Sequence, residues 1–174
     1  MVRKDRLSTG VAGLDEALDG LLPGDNVVWA ADTAAPLDRF VRDFLSEGLR
    51  RQRHCVYVRT GSRASRAIEP AQGAEIVDAR RGGSFSDPQS LEETLVEAGR
   101  RNRHSYVVVE SLDPLVTRWG ADRAIAFYQR CCPRLFDVYA VAYWSISRST
   151  LNPSQLDQIA QVAQCYFEVG PRQL

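Results

Sequence analysis

Few of the groups that perform nucleophilic or metal chemistry are present in this chain. It holds two histidines, His54 and His104, and four cysteines, Cys55, Cys131, Cys132 and Cys165. No Cys-x-x-Cys pair occurs, so no zinc site is expected. Three of the four cysteines lie in apolar runs, where a free thiol behaves as a small hydrophobe, and buried reduced thiols are the expectation. Ser84, Ser111 and Ser145 have no histidine placed by sequence to activate them. Both histidines stand just before strand candidates, at the edge opposite the strand-end residues, which disfavours a hydrolytic triad.

The elements that must position any site follow from hydrophobic periodicity. Val27-Val28-Trp29-Ala30, Cys55-Val56-Tyr57-Val58, Tyr106-Val107-Val108-Val109, the long run Val138 to Trp144, and Cys165 to Val169 read as strands, with Glu75 to Asp78 a weaker one. Leu37, Phe40, Val41, Phe44, Leu45, Gly48 and Leu49 recur at helical spacing. Ser86-Asp87-Pro88 supplies an N-cap and first-turn proline for a helix carrying Leu91, Leu95 and Ala98. Ala124, Phe127, Tyr128 and Cys131 mark another helix, which Pro133 is expected to break, and Asn152-Pro153 opens the next. Buried strands alternating with helices predict an α/β three-layer sandwich around a mostly parallel sheet. Ligands of such sheets lie at the carboxyl ends of the strands. The segments to watch are therefore Ala31 to Pro36, Arg59 to Arg66, Glu110 to Thr117 and Ser145 to Thr150.

Composition sets outer bounds. The 174 residues are 44% apolar and 25% charged, enough for one globular domain with its own core. No apolar run reaches the roughly 18 to 20 residues of a membrane span, and the basic start is followed by no signal-like apolar stretch. A cytoplasmic location is the expectation. Net charge is zero, which argues against wholesale nucleic-acid binding and leaves room for a local basic patch.

Residues Arg6 to Gly24 add a specific pattern. Ser8, Thr9, Gly10, Gly13, Leu14, Asp15, Leu18, Gly20, Pro23 and Gly24 resemble the segment that leads into the first core strand of KaiC- and RadA-type domains of the RecA superfamily of P-loop ATPases. Phe44-Leu45-Ser46-Glu47-Gly48 resembles the helix after that family's P-loop. Val107-Val108-Val109-Glu110-Ser111-Leu112 resembles its Walker B strand, and Gln158 to Ala163 with Tyr166-Phe167-Glu168 its ending. The resemblance implies a RecA-like fold for a single domain over residues 1–174, whose C-terminal end falls short of the family's further strands.

At the family's chemical positions the chain departs from the pattern. Where glycines, a lysine and a hydroxyl would cradle the phosphates and hold magnesium, this chain has Ala31-Asp32-Thr33-Ala34-Ala35-Pro36-Leu37-Asp38. Ala31, Ala34 and Pro36 take glycine positions, Leu37 the lysine position and Asp38 the hydroxyl position, while Asp32 adds a carboxylate near the polyphosphate. After Val56-Tyr57-Val58 the run Arg59-Thr60-Gly61-Ser62 lacks the acidic residues that activate water. Glu110 stands at the Walker B end, and a single carboxylate is a poor magnesium site. The resemblance thus implies a pseudo-ATPase without cofactor or catalytic residues. The alternative is a residual nucleotide-binding ATPase that draws phosphate donors from the Arg59 to Arg66 loop.

Two arginine clusters remain. Arg50, Arg51 and Arg53, and Arg100, Arg101 and Arg103, each follow a helix and precede a strand, so both fall at the amino edge of the sheet. The helix C-terminal dipole accounts for about two arginines in each cluster. The surplus suggests docking of an acidic partner, a nucleic acid or an anionic lipid surface. Arg63 to Arg66 and Arg80 to Gly83 read as loops. Trp119, with Leu112, Leu115 and Val116 around Pro114, is expected in a strand-end loop, as either an interface aromatic or a buried anchor beneath it. The functional expectation is a regulatory, scaffold or sensory module that acts by contact with another protein or with itself.

Overall fold

The computed structural model describes residues 6–32, 37–61, 73–80, 85 and 87–170. In chain order they form α1 (Ala12–Leu18), β1 (Asn26–Ala31), α2 (Leu37–Arg50), β2 (Cys55–Arg59), β3 (Glu75–Asp78), α3 (Pro88–Arg101), β4 (Tyr106–Val109), α4 (Asp113–Trp119), α5 (Ala121–Asp137), β5 (Val141–Ser147), α6 (Pro153–Ala160) and β6 (Cys165–Val169). The strands make one sheet in the order β3-β2-β4-β5-β1-β6, and every pairing is parallel. Parallel neighbours need crossovers, and the helices supply them on both faces.

Alternation along each strand divides the core in two. Val28, Ala30, Val56, Val107, Val109, Trp144 and Ile146 face α3, α4, α5 and α6. Val27, Trp29, Tyr57, Tyr106, Val108 and Tyr143 face α2, with Leu14 and Leu18 of α1 packed on the same side. Between α3 and α5 the buried Glu92 accepts from Arg130 Nε at 3.1 Å and Arg134 Nη1 at 2.6 Å.

Local side-chain caps mark the starts of α3 and α6. The Asp87 carboxylate caps α3 through the Ser90 amide at 2.9 Å, with Pro88 in the first turn; Ser86 lies outside the described residues. Asn152 and Gln155 form a reciprocal capping box ahead of Pro153.

Three expectations are corrected. Pro133 does not end its helix, because α5 continues to Asp137 and keeps Leu135 in the core. Tertiary burial here outweighs the loss of one backbone donor. Strand β5 begins at Val141 rather than Val138, because Val138 caps α5 and Tyr139 turns the chain at φ +61°. The segment after β4 is not an extended loop but α4, in which Leu115 and Trp119 are buried, so Trp119 is an anchor.

The segment Ser8-Thr9-Gly10 has a structural task. Asp15 accepts from the Thr9 amide at 2.6 Å, from Thr9 Oγ1 at 2.7 Å and from Ser8 Oγ. Gly10, at φ +82°, passes so close to α2 that a Cβ would sit 2.3 Å from the Asp43 carbonyl oxygen. Leu7 and Leu21 then pair in a short antiparallel bridge beneath it.

Candidate functional site

Strand β1 leaves the sheet toward α2 on one face, while its neighbour β5 leaves toward α6 on the other. The chain therefore parts at the carboxyl ends of β1 and β5, the place where open parallel sheets form a ligand crevice. Asp32 follows β1, Arg148 follows β5, and Glu168 lies on β6, the other neighbour of β1.

Here the three side chains meet. Arg148 Nε donates to one oxygen of Asp32 at 2.9 Å and its Nη2 to the other at 2.7 Å, while Nη1 donates to Glu168 at 3.3 Å. The Arg148 amide also donates to the Ala31 carbonyl at 3.0 Å, which fixes the residue beside the end of β1. The hydrogen bond from Arg148 holds the Asp32 carboxyl below its ordinary range, and Asp32 raises the guanidinium in return. A cation shared by two carboxylates has no surplus charge for a phosphate.

The α2 side of the crevice is filled with aromatic rings. Trp29, from β1, lies between Phe40 of α2 at 4.4 Å and Phe167 of β6 at 4.8 Å, both stacked. Phe44 stacks on Tyr143 at 3.7 Å one turn further on. Leu37, which stands where the resemblance would place a lysine, is buried in this cluster with 5% exposure. A side chain committed to the core does not reach outward to a polyphosphate. Ala31 is buried as the last residue of β1, and Asp38 lies in the first turn of α2. Ala34 and Pro36 lie outside the described residues.

Glu110, at the end of β4, turns its carboxylate to backbone amides, accepting from Thr60 at 2.9 Å and Gly61 at 3.0 Å. Thr60 Oγ1 in turn donates to the Ser111 carbonyl at 2.7 Å. Asp113 accepts from the Ser147 amide at 3.0 Å. The ends of β2, β4 and β5 are thus tied together by side chains that would otherwise face the crevice. Burial, reinforced by Glu110 and Asp38, pushes the Tyr57 hydroxyl well up, so it carries no charge at neutral pH. Of the Arg59 to Arg66 loop, residues 62–66 lie outside the described residues, as do Arg81 to Ser84.

Burial also keeps the thiols protonated. Cys55, Cys131 and Cys132 are buried and free, and Cys165 is half-buried. Desolvation pushes Cys55 up to about 12 and raises the other three. Among the described residues no group of three His, Cys, Asp or Glu side chains is placed to hold a metal.

At the opposite edge, the two arginine clusters are neighbours, because the Tyr106 amide of β4 donates to the His54 carbonyl before β2 at 2.8 Å. Arg50 and Arg51 both pair with Glu47, and Arg101 approaches Glu97 at 3.9 Å. Arg103 lies over the ring of Tyr139 at 4.4 Å. Sequence reasoning placed the clusters at this edge but missed Tyr139, whose apolar neighbours suggested a strand. It also missed Arg148, whose only signal was its position just after a strand.

Fold and site together define a three-layer α/β protein whose strand-end crevice is closed by an ion-pair cluster and an aromatic stack. No family model matches the chain, and no curated protein matches it. No helix among the described residues is long and apolar enough to cross a membrane.

Proposed function

We propose that this chain is a non-catalytic, cytoplasmic module of the RecA/KaiC type, a pseudo-ATPase that acts through contact with protein as a regulatory, scaffold or sensory domain. The observation that carries the reading is the Asp32–Arg148–Glu168 cluster at the carboxyl ends of β1, β5 and β6. Arg148 is the one cation described at that junction, and both carboxylates would have to leave it before a phosphate could approach. The burial of Leu37, the stacking of Trp29 between Phe40 and Phe167, and the engagement of Glu110 with two amides support it further.

The test is a thermal-shift titration with Mg-ATP, Mg-ADP and GTP. A nucleotide present at about 100 times its dissociation constant stabilises a fold by about 2.7 kcal/mol. In a domain of this size that is a rise of roughly 5 to 10 °C. The expected result is no shift with any of the three. A saturable shift would return the chain to the nucleotide-binding proteins and make Arg59 and the loop after it the next residues to replace.

A further inference from the structure

The amino edge of the sheet carries features that folding does not require. Tyr139 occupies the position just past α5 that closes a Schellman turn: its amide donates to Phe136 and the Ala140 amide to Leu135, each at 3.0 Å. That position is left-handed, at φ +61°, and glycine is the residue that takes it without strain. Gln52, past α2, has the same geometry at φ +56°, with the Arg53 amide on Gly48 and its own on Leu49. His104, at φ +63°, stands before β4 between them. A bulky aromatic in this conformation carries a local cost, and yet Tyr139 leaves 43% of its surface exposed.

Its surroundings suggest what the exposure serves. Arg103 covers one face of the Tyr139 ring, and His104 meets it edge-on at 6.2 Å. Phe136, 48% exposed, lies one turn back on α5; these two and Ile76 are the large exposed apolar side chains among the described residues. Arg50, Arg51, Arg53, Arg100, Arg101 and Arg103 line the adjoining turns; Glu47 pairs with Arg50 and Arg51, Glu97 approaches Arg101, Glu75 pairs with His54, and Asp137 is exposed between the two aromatics, so the six arginines still outnumber the four acids.

We propose that this edge is a docking surface for an acidic segment of a partner protein, with Tyr139 and Phe136 as aromatic anchors and Arg53, Arg100 and Arg103 as carboxylate receptors. Arginine and tyrosine are the residues that concentrate binding energy at protein interfaces. Planar guanidinium groups suit paired carboxylate oxygens, and no lysine lies among the described residues. The positive excess is local in a chain of zero net charge, which fits a short acidic segment better than a long phosphate polymer. The proposal rests on the reading of the chain as a contact module, but it concerns the edge opposite the crevice, so nucleotide titration and the experiment below fail independently.

The test uses fluorescence anisotropy with a labelled short poly-glutamate peptide carrying one central tyrosine, against oligothymidine of matching length and vesicles containing phosphatidylserine. The expected result is saturable, salt-sensitive binding of the peptide, weakened about tenfold in Arg100→Gln/Arg103→Gln and unchanged in Arg123→Gln, which removes an exposed arginine from the start of α5. Tyr139→Gly should also weaken binding while leaving the melting temperature equal or higher, so its loss cannot be laid to unfolding. Absence of peptide binding, or binding by Arg100→Gln/Arg103→Gln and Tyr139→Gly equal to that of the natural protein, overturns the proposal. Tighter binding of oligothymidine or of the vesicles than of the peptide overturns it in favour of that ligand.

Discussion

Arg148 sets its guanidinium fork on Asp32, a residue 116 positions earlier in the chain, and reaches Glu168 with the remaining nitrogen. The three residues follow or lie on three neighbouring strands, β5, β1 and β6, so only the order of the sheet brings them together. The result is a crevice mouth whose cation is already neutralised.

Uncovering that cation should create an anion site. In Asp32→Asn/Glu168→Gln the Arg148 backbone keeps its place through its amide's bond to the Ala31 carbonyl, while the guanidinium loses both charges that engage it. We expect a saturable phosphate-dependent rise in melting temperature for the double variant and none for the natural protein. Equal behaviour of the two would mean that the ion pairs are incidental.

Gly10 should tolerate no side chain. Its positive φ disfavours any Cβ, and the atom that a Cβ would meet is the backbone oxygen of Asp43, which cannot rotate away. Gly10→Ala is expected to cost about 3 kcal/mol or more in urea unfolding, since conformational strain and a backbone clash add. A loss within experimental error would show that the segment before α1 does not dock on α2 as described.

The Glu92 pair should matter more than exposed pairs do. Replacing Arg134 by alanine leaves a buried carboxylate with one partner in place of two, and a loss of about 1–3 kcal/mol is expected. Glu92→Gln/Arg134→Met, which removes the charge with its partner, should recover part of that loss in a double-mutant cycle.

Acid should weaken the fold in a defined direction. The Arg80 hydrogen bond lowers Asp78 from 3.8 to about 2, and hydrogen bonds from Arg148, Arg50 and Ser90 lower Asp32, Glu47 and Asp87. A carboxyl whose folded value is depressed binds fewer protons folded than unfolded. Its contribution is therefore complete above the unfolded value and disappears as pH falls through the folded one. Asp25, raised by burial, acts in the opposite sense and is the smaller group in number. The melting temperature should fall as pH drops from 4 toward 2, and Asp78→Asn should make the decline shallower. A flat profile over that range would contradict the described pairings.

Much of this architecture is written locally. Apolar runs buried on both faces signal parallel strands, and β1 and β4 are buried at every position. Asp87-Pro88 and Asn152-Pro153 mark helix starts because capping needs only neighbouring residues. Periodicity likewise placed Leu37, Val41, Phe44 and Leu45 on the inward face of α2, where they lie. Local rules failed where tertiary packing overrode them. Pro133 stays inside α5 because the residues after it are needed in the core, and Tyr139 turns the chain although its neighbours read as strand. The sequence alone determined the layers and the absence of a lysine or glycine-rich run before α2. Only the tertiary structure decided what stands there instead. The meeting of Asp32, Arg148 and Glu168 depends on which strands are neighbours, and strand order is set by long-range packing that no local pattern encodes.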